Sequence, residues 1–396
     1  MVIQLTKTKS ITIGGSGKSG AGQNRKSADV VGIDMFGGDS RGFPAVRLTA
    51  KRGQIRVTAC GFVTEPEKPL PASWEEAAKN PTWALPSEFQ SPHAAFAVTS
   101  PDTFLVQTTV EAVKSDIANG AHRGEEPSSA AKTHKFGIRR EPKKPEETAE
   151  PANAESKPTP TEIVPGVPVS NGGTRFVMRS MSLSDDLVME AGMPEYQALW
   201  LSRLLPEGKR PTVASIQPRA AALTASILKD PEFLKADGNG LALFIDDNSC
   251  IIAGFRNRDL VLWRRCQGAA GGKGIREALR SGLGVDDEML DSIMNDNLID
   301  PRPVLEPIVL PIADELAVSR DYLAAKLGIT IDATFIAGLT SGIGYWSAIF
   351  EDRARIRLIG CQPFDGFDGT LPDQKDRGAF TAAIGAALAY MAEGEE

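Results

Sequence analysis

"ALFIDDNSCIIAGFRNRDLVLWRRCQG", Ala242 to Gly268, decides how this chain is read. An apolar run ends on Asp246, a polar turn follows, a second apolar run reaches Phe255, "RNRD" turns the chain, and a third run ends at Cys266. Short runs rich in β-branched and aromatic residues, separated by turn residues, specify strands joined as hairpins. Near the start, "VVGIDMFGGDSRGFPAVRLTAKRGQIRVTACG", Val30 to Gly61, repeats the layout: a run ending on Asp34, a polar turn, a strand, the turn "KRGQ" and a third strand. Two blocks with an aspartate at the same point predict a duplication, although two unrelated meanders would give the same pattern.

Each block leads into α/β sequence. After the first come strand-like "AAFAVTS" and "FLVQTTV", then "TRFVMRSMS", a helix in "PEYQALWLSRLL" beginning at Pro194, a strand "TVASIQ" and a helix "PRAAALTASILKD" ending before Pro231. Trp74 to Lys79 reads as a short helix in a Pro-rich loop. After the second block, "GGKGIREALRSGLG" is a Gly-rich turn into a helix and "DDEMLDSIMND" a further helix. "PIVLPIADELAVSRDYLAAKLG" is a long amphipathic helix with Ile312, Leu316, Ala317, Leu323 and Leu327 on one side and Gly328 as its stop. "DATFIAGLTSGIGYWSAIF" reads strand–turn–helix, "RIRLIGCQPF" a strand, and "GAFTAAIGAALAYM" a small-residue helix for close packing. The alternation predicts an α/β fold.

The segments divide as follows: a basic tail over 1–28; a first domain in two parts, 29–116 and 173–237; a disordered insertion over 117–172; a second domain over 238–391; and a tail over 392–396. The insertion is rich in Pro, Glu, Lys and Ser and has too little apolar surface to offset its chain entropy. Within the tail, "ITIGGSGKSG" (Ile11 to Gly20) is not a Walker loop: Thr12 stands where the first Gly belongs, and neither a buried strand nor a helix flanks it.

Composition removes several function classes. The formal net charge of -7 disfavours nucleic-acid binding. No apolar run reaches the roughly 18 residues of a membrane span, and the N-terminus lacks a signal-peptide core, so a cytoplasmic protein is expected. The four cysteines are widely spaced, which predicts buried, reduced thiols. Of three histidines, His122 and His134 fall in the insertion, and His93 alone supports neither a Ser-His-Asp triad nor a His-rich zinc site.

Duplicated β-β-β blocks, each followed by α/β sequence, resemble the actin/hexokinase/Hsp70 plan, and "FIAGLTSGIG" (Phe335 to Gly344) resembles its adenosine turn. In order and spacing the chain resembles PilM, the actin-like protein of type IV pilus assembly. "VVGIDMFGGDS" is similar to that family's first phosphate loop, "GGKGIREALRSGLGV" to its Gly-Gly turn and helix, and "GAFTAAIGAALAYM" to its closing helix. Glu315, Ser319, Asp321 and Tyr322 fit its E-[IL]-x-x-S-x-[DE]-Y helix. The resemblance implies an α/β, actin-like (ribonuclease H-like) duplicated two-domain fold with a nucleotide-type cleft. It also implies a binding set: Asp34, Gly37, Gly38 and Ser40 in the first loop; Asp246, Asn248 and Ser249 in the second; Gly271, Gly272 and Lys273 in the turn; and Gly338, Ser341 and Gly342 in the third loop. The aspartates would face a metal or its waters.

The departures lie in those loops. Phe36 replaces the Gly expected two residues after Asp34, unless Gly37-Gly38 shifts the turn by one, and Asp39 adds charge repulsive to phosphate. The second loop reads Asp246-Asp247-Asn248-Ser249 without its Gly, and Leu339 and Thr340 replace glycines in the third. The expectation is weak, altered or absent nucleotide binding, with ATP or ADP and Mg²⁺ as the ligand if one is kept, no nominated catalytic residue, and a pseudo-ATPase or, at most, a slow ATPase.

The resemblance further implies a cytoplasmic scaffold, peripheral to the inner membrane through a partner. That partner is a PilN-like single-pass inner-membrane protein whose N-terminal tail is bound, with a pilus assembly ATPase or platform proteins beyond it. Neither nucleic acid nor direct membrane contact is expected. The family's groove lies between the first domain's core and its inserted subdomain, so "AAFAVTSPDTFLVQTTV" and "RFVMRSMS" are the strands expected nearby. The alternatives are an ATP-hydrolysing actin-like enzyme or small-molecule kinase, for which no Asp base or sugar loop stands out, and a cell-division-type filament protein, which the acidic end "AYMAEGEE" does not suit.

Overall fold

The computed structural model describes residues 28–35, 42–51, 53–78, 83–100, 103–109, 170–171, 174–183, 187–205, 211–246, 249–266, 269–296, 299–338 and 343–393. In chain order, the first block forms β1 (Ala28–Asp34), β2 (Phe43–Lys51) and β3 (Gln54–Val63), followed by a one-turn helix α1 (Trp74–Ala77), capped by the Ser73 hydroxyl, and β4 (His93–Val98). Next come β5 (Phe104–Thr109), β6 (Ser170–Asn171), β7 (Thr174–Ser182), β8 (Leu187–Pro194), α2 (Glu195–Ser202), β9 (Thr212–Pro218), α3 (Arg219–Ile227) and α4 (Pro231–Lys235). The second block forms β10 (Gly240–Ile245), β11 (Cys250–Arg256) and β12 (Asp259–Arg265), then α5 (Gly272–Leu283), α6 (Asp287–Asp296) and α7 (Arg302–Leu327). The chain closes with β13 (Ala333–Ala337), α8 (Ile343–Ala354), β14 (Arg357–Gly360), β15 (Asp368–Gly369) and α9 (Thr381–Glu393).

The duplication is visible in the sheets. The first runs β15-β3-β2-β1-β4-β9 and the second β12-β11-β10-β13-β14. In each, the block's three strands pair antiparallel, and its first strand is flanked on the other side by a parallel neighbour, β4 beside β1 and β13 beside β10. A third, antiparallel sheet, β5-β8-β7-β6, is inserted between β4 and β9. Ser170 and Asn171, inside the insertion expected over 117–172, form β6 against Arg175 and Thr174. The rest of that insertion up to residue 169, and the tail up to residue 27, lie outside the described residues.

Central strands covered on both faces need apolar residues on both, and β10 has them. Leu241, Leu243 and Ile245 face a core with Leu279, Ile312, Leu316, Trp346 and Phe350 from α5, α7 and α8. Ala242 and Phe244 face the opposite way, into the core shared with the first half. The helix α7 starts earlier than its sequence pattern predicts and runs through Pro307 and Pro311. Each internal Pro costs roughly 3 kcal/mol. Complete burial of Leu305, Val309, Ile312 and Leu316, at about 1.5–3 kcal/mol each, offsets that.

The last helix, α9, lies on β1, β2 and β4 of the first sheet and crosses α3. The crossing is tight because Gly385 has no side chain: a Cβ there would stand 1.9 Å from the Ala222 carbonyl oxygen. Gln217 adds a hydrogen bond from its amide to the Ala386 carbonyl at 3.2 Å. The small-residue pattern in "GAFTAAIGAALAYM" therefore serves the close packing it predicted.

Candidate functional site

The ends of β1, β4, β9 and β10 converge between the halves. Asp34 is the last residue of β1 and fully buried, and Asp246 follows directly on β10. Between them stands Arg219, the first residue of α3. Its Nε donates to Asp34 Oδ2 at 2.8 Å, and its Nη1 donates to Asp246 Oδ1 at 3.3 Å and to the Ile245 carbonyl at 3.4 Å. The Thr99 hydroxyl, just beyond β4, donates to the same Asp246 oxygen at 2.9 Å. The side chains of Arg219, Asp34 and Asp246 are only 7%, 0% and 13% exposed. Two carboxylates so close together repel each other, and the guanidinium between them, charged at any physiological pH, offsets that repulsion.

Sequence reading brought Asp34 and Asp246 to one cleft but missed Arg219, which lay in a segment read only as helix. A signal was present. A cation at a helix N-terminus opposes the macrodipole, and α3 has no acid in its first turn to offset it. Such an arginine requires an anion from elsewhere in the chain.

The second-half loop is stitched to α5. Asp246 N–H donates to the Ser249 carbonyl at 2.8 Å, and Gly272 N–H donates to the Asp246 carbonyl at 2.7 Å. Gly271 is the extended N-cap of α5, and Lys273 is exposed beyond it. Gly338 follows β13 with φ +90°, and a Cβ there would lie 2.1 Å from the Ile245 carbonyl oxygen. Packing against β10 by itself demands this glycine. The remaining expected residues, Gly37, Gly38, Ser40, Asn248, Ser341 and Gly342, lie outside the described residues, as do Phe36, Asp39, Asp247, Leu339 and Thr340.

Mg²⁺ with a nucleotide fits this donor set poorly. Magnesium takes oxygen ligands at 2.0–2.1 Å in near-octahedral geometry, whereas both aspartates are committed to a buried guanidinium. Among the described residues, no group of three or more His, Cys, Asp or Glu could hold a metal ion. Cys250, Cys266 and Cys361 are buried free thiols and Cys60 is partly exposed. Burial pushes Cys60 and Cys250 up to about 12, so they are poor nucleophiles.

The inserted sheet is anchored on both sides. The Ser100 hydroxyl donates to Gln197 Oε1 at 3.0 Å, and the Gln197 amide donates to the Pro71 carbonyl at 3.2 Å. On the far side, Trp263 of β12 donates its backbone N–H to Gln107 Oε1 at 2.8 Å and its indole N–H to the Leu105 carbonyl at 3.2 Å. The edge strand β5 thus leans on the edge strand of the second sheet. β7 pairs with β8 from Phe176 to Ser182 and, among the described residues, with β6 only at Thr174 and Arg175.

Two sheets of matching order, a cleft between them and a subdomain inserted in the first define the actin-like ATPase fold, as the sequence predicted. The solved structure of a "PilM-PilN type IV pilus biogenesis complex" shares it, at 14% identity and a TM-score of 0.54, over 93% of this chain and 99% of that one. Looser likenesses extend to a Bacteroides thetaiotaomicron protein with an actin-like ATPase fold and unknown function (8% identity, TM-score 0.37, 85% of this chain and 91% of that one). They also extend to the cytoplasmic domain of EpsL, an inner-membrane component of the Vibrio cholerae type II secretion system (9%, 0.31, 91% and 95%). No family model matches the sequence, and neither does any curated protein. Among the described residues, no helix is long and apolar enough to cross a membrane.

Proposed function

We propose that this protein is a PilM-like scaffold. It holds the N-terminal tail of a PilN-like single-pass inner-membrane protein, works at the cytoplasmic face of the membrane through that partner, and has weak or no nucleotide binding. The likeness to the PilM–PilN complex over nearly the whole of both chains carries this reading. An extended tail added along β7, over Phe176–Ser182, would gain main-chain hydrogen bonds in the manner of strand addition. The commitment of Asp34 and Asp246 to Arg219 supports the loss of metal-bound nucleotide.

The test is co-purification with the PilN-like protein of the same organism. V177D on β7 is expected to weaken capture by about tenfold or more, equivalent to about 1.4 kcal/mol, and V106R on β5, at the opposite edge of the sheet, to leave capture unchanged. Undiminished capture by V177D would remove the placement. Thermal unfolding with millimolar ATP or ADP and Mg²⁺ addresses the competing enzyme reading. A ligand at about 100 times its Kd stabilises by roughly 2.7 kcal/mol. The expected result is no shift, and a nucleotide-specific rise would restore an ATPase or kinase.

A further inference from the structure

We propose that Arg219 is the resident cation of the cleft: its guanidinium takes the charge-neutralising place of a divalent metal ion between Asp34 and Asp246 and joins the two halves without metal. This rests on reading the cleft as a lapsed nucleotide site and is independent of partner capture. Asp34 Oδ2, Asp246 Oδ1 and the Ile245 carbonyl are the hard oxygen donors that a magnesium ion selects, and here all three accept hydrogen bonds from one guanidinium. The donors come from both halves, Asp34 from the end of β1, Ile245 from the end of β10 and Asp246 from the residue directly after it. Thr99, from the first half, closes the set on Asp246.

Two further observations separate this arrangement from a chance surface pair. Arg219 sits at a helix N-terminus where the macrodipole disfavours it, so α3 alone does not account for a cation there. Its side chain is 7% exposed, so a hydrated ion could enter only by expelling it from the core. A metal and its nucleotide dissociate, but an arginine does not, and it stays protonated across the physiological range. The cation at the junction of the halves is therefore never lost to solvent as a metal ion would be, and ligand release does not remove it.

The experiment titrates Mn²⁺ into the purified full chain, following melting temperature and bound Mn²⁺ by electron paramagnetic resonance. Wild type and R219K are expected to show no response at millimolar Mn²⁺. R219M is expected to bind Mn²⁺ saturably and melt higher with it, and R219M/D246N to lose both effects. Saturable Mn²⁺ stabilisation of wild type that D246N abolishes would overturn the proposal, as would a folded R219M that ignores Mn²⁺. Should R219M be insoluble in metal-free buffer, its recovery on refolding with Mn²⁺ supports the replacement, and insolubility in both conditions overturns it. In a separate arm, stabilisation of wild type by ATP in EDTA would end the lapsed-site reading while supporting a metal-free cleft.

Discussion

The two halves share a strand order but not a source of cover. The second half packs β10, β11, β13 and β14 under α5, α6, α7 and α8, all drawn from the sequence between and beside those strands. Among the described residues, the first half has only α1 and a 3₁₀ turn (Ser87–Phe89) between β3 and β4, spends the β4-to-β9 connection on the inserted sheet, and takes much of its cover from α9. The same sheet plan thus yields one half whose outer face is covered by its own helices and one whose sheet is covered by a helix from beyond the other half. Duplication preserved the strands that shape the cleft, while the connections diverged to carry different loads.

The sharpest way to break this comparison is at the α9–α3 crossing. G385L drives a side chain into the Ala222 carbonyl and should abolish soluble folding, a loss above about 4–5 kcal/mol that expression and urea melts would read. A variant as stable as wild type would mean the first half does not depend on that crossing. Within the second half's own core, fully buried Trp346 stacks on Phe350 at 6.1 Å. W346A should cost about 3–5 kcal/mol. W346F should cost less than about 1.5 kcal/mol, because it keeps most of the volume and removes an indole N–H that has no hydrogen-bond partner among the described residues. Asp230 comes next: it caps α4 through the Glu232 and Phe233 N–H groups and also accepts from Gln362 N–H at 2.7 Å, just beyond β14. D230A should lower the unfolding free energy by about 2–3 kcal/mol, read in a chemical denaturation curve.

The remaining effect is on pH dependence and is confined to alkaline solution. Cys60 in the first half and Cys250 in the second are held protonated, pushed from 9.0 to about 12 chiefly by burial. Between those values the unfolded chain has lost a proton that the folded chain keeps, so stability falls as pH rises from 9 towards 12. The urea midpoint should be insensitive to these thiols below pH 9, and C250A should flatten the alkaline slope. An unchanged slope would show that Cys250 does not contribute.

Local pattern made most of the fold legible. Gln54–Val63 and Thr174–Ser182 are strands where their alternation predicts them, and Gly284 and Gly328 end their helices in the left-handed conformation. What escaped was tertiary. The strand Leu187–Pro194 contains Glu190, Gly192 and Pro194 and looks unlike a strand in isolation, yet β5 and β7 flank it on both sides. Pro307 and Pro311 mask the first turns of α7, which burial enforces. At the cleft, the aspartates announced themselves by ending the first apolar runs of two similar blocks. Their partner Arg219 is remote from both in sequence, and only the adverse position of a cation at a helix start hinted at it.

Gly32, in the middle of β1, leaves room for the backbone of α9: a Cβ there would lie 1.9 Å from the Ala383 carbonyl oxygen. A ribosome delivers roughly 5–20 residues per second, and domains usually fold in the order they emerge. Here β1 emerges well before its covering helix, which is translated after the strands of the second half, tens of seconds later by that rate. The second half can consolidate while the first still exposes an apolar sheet face. Completion of the first half therefore waits for a segment translated after the second half's strands, and its apolar sheet face needs protection through that interval.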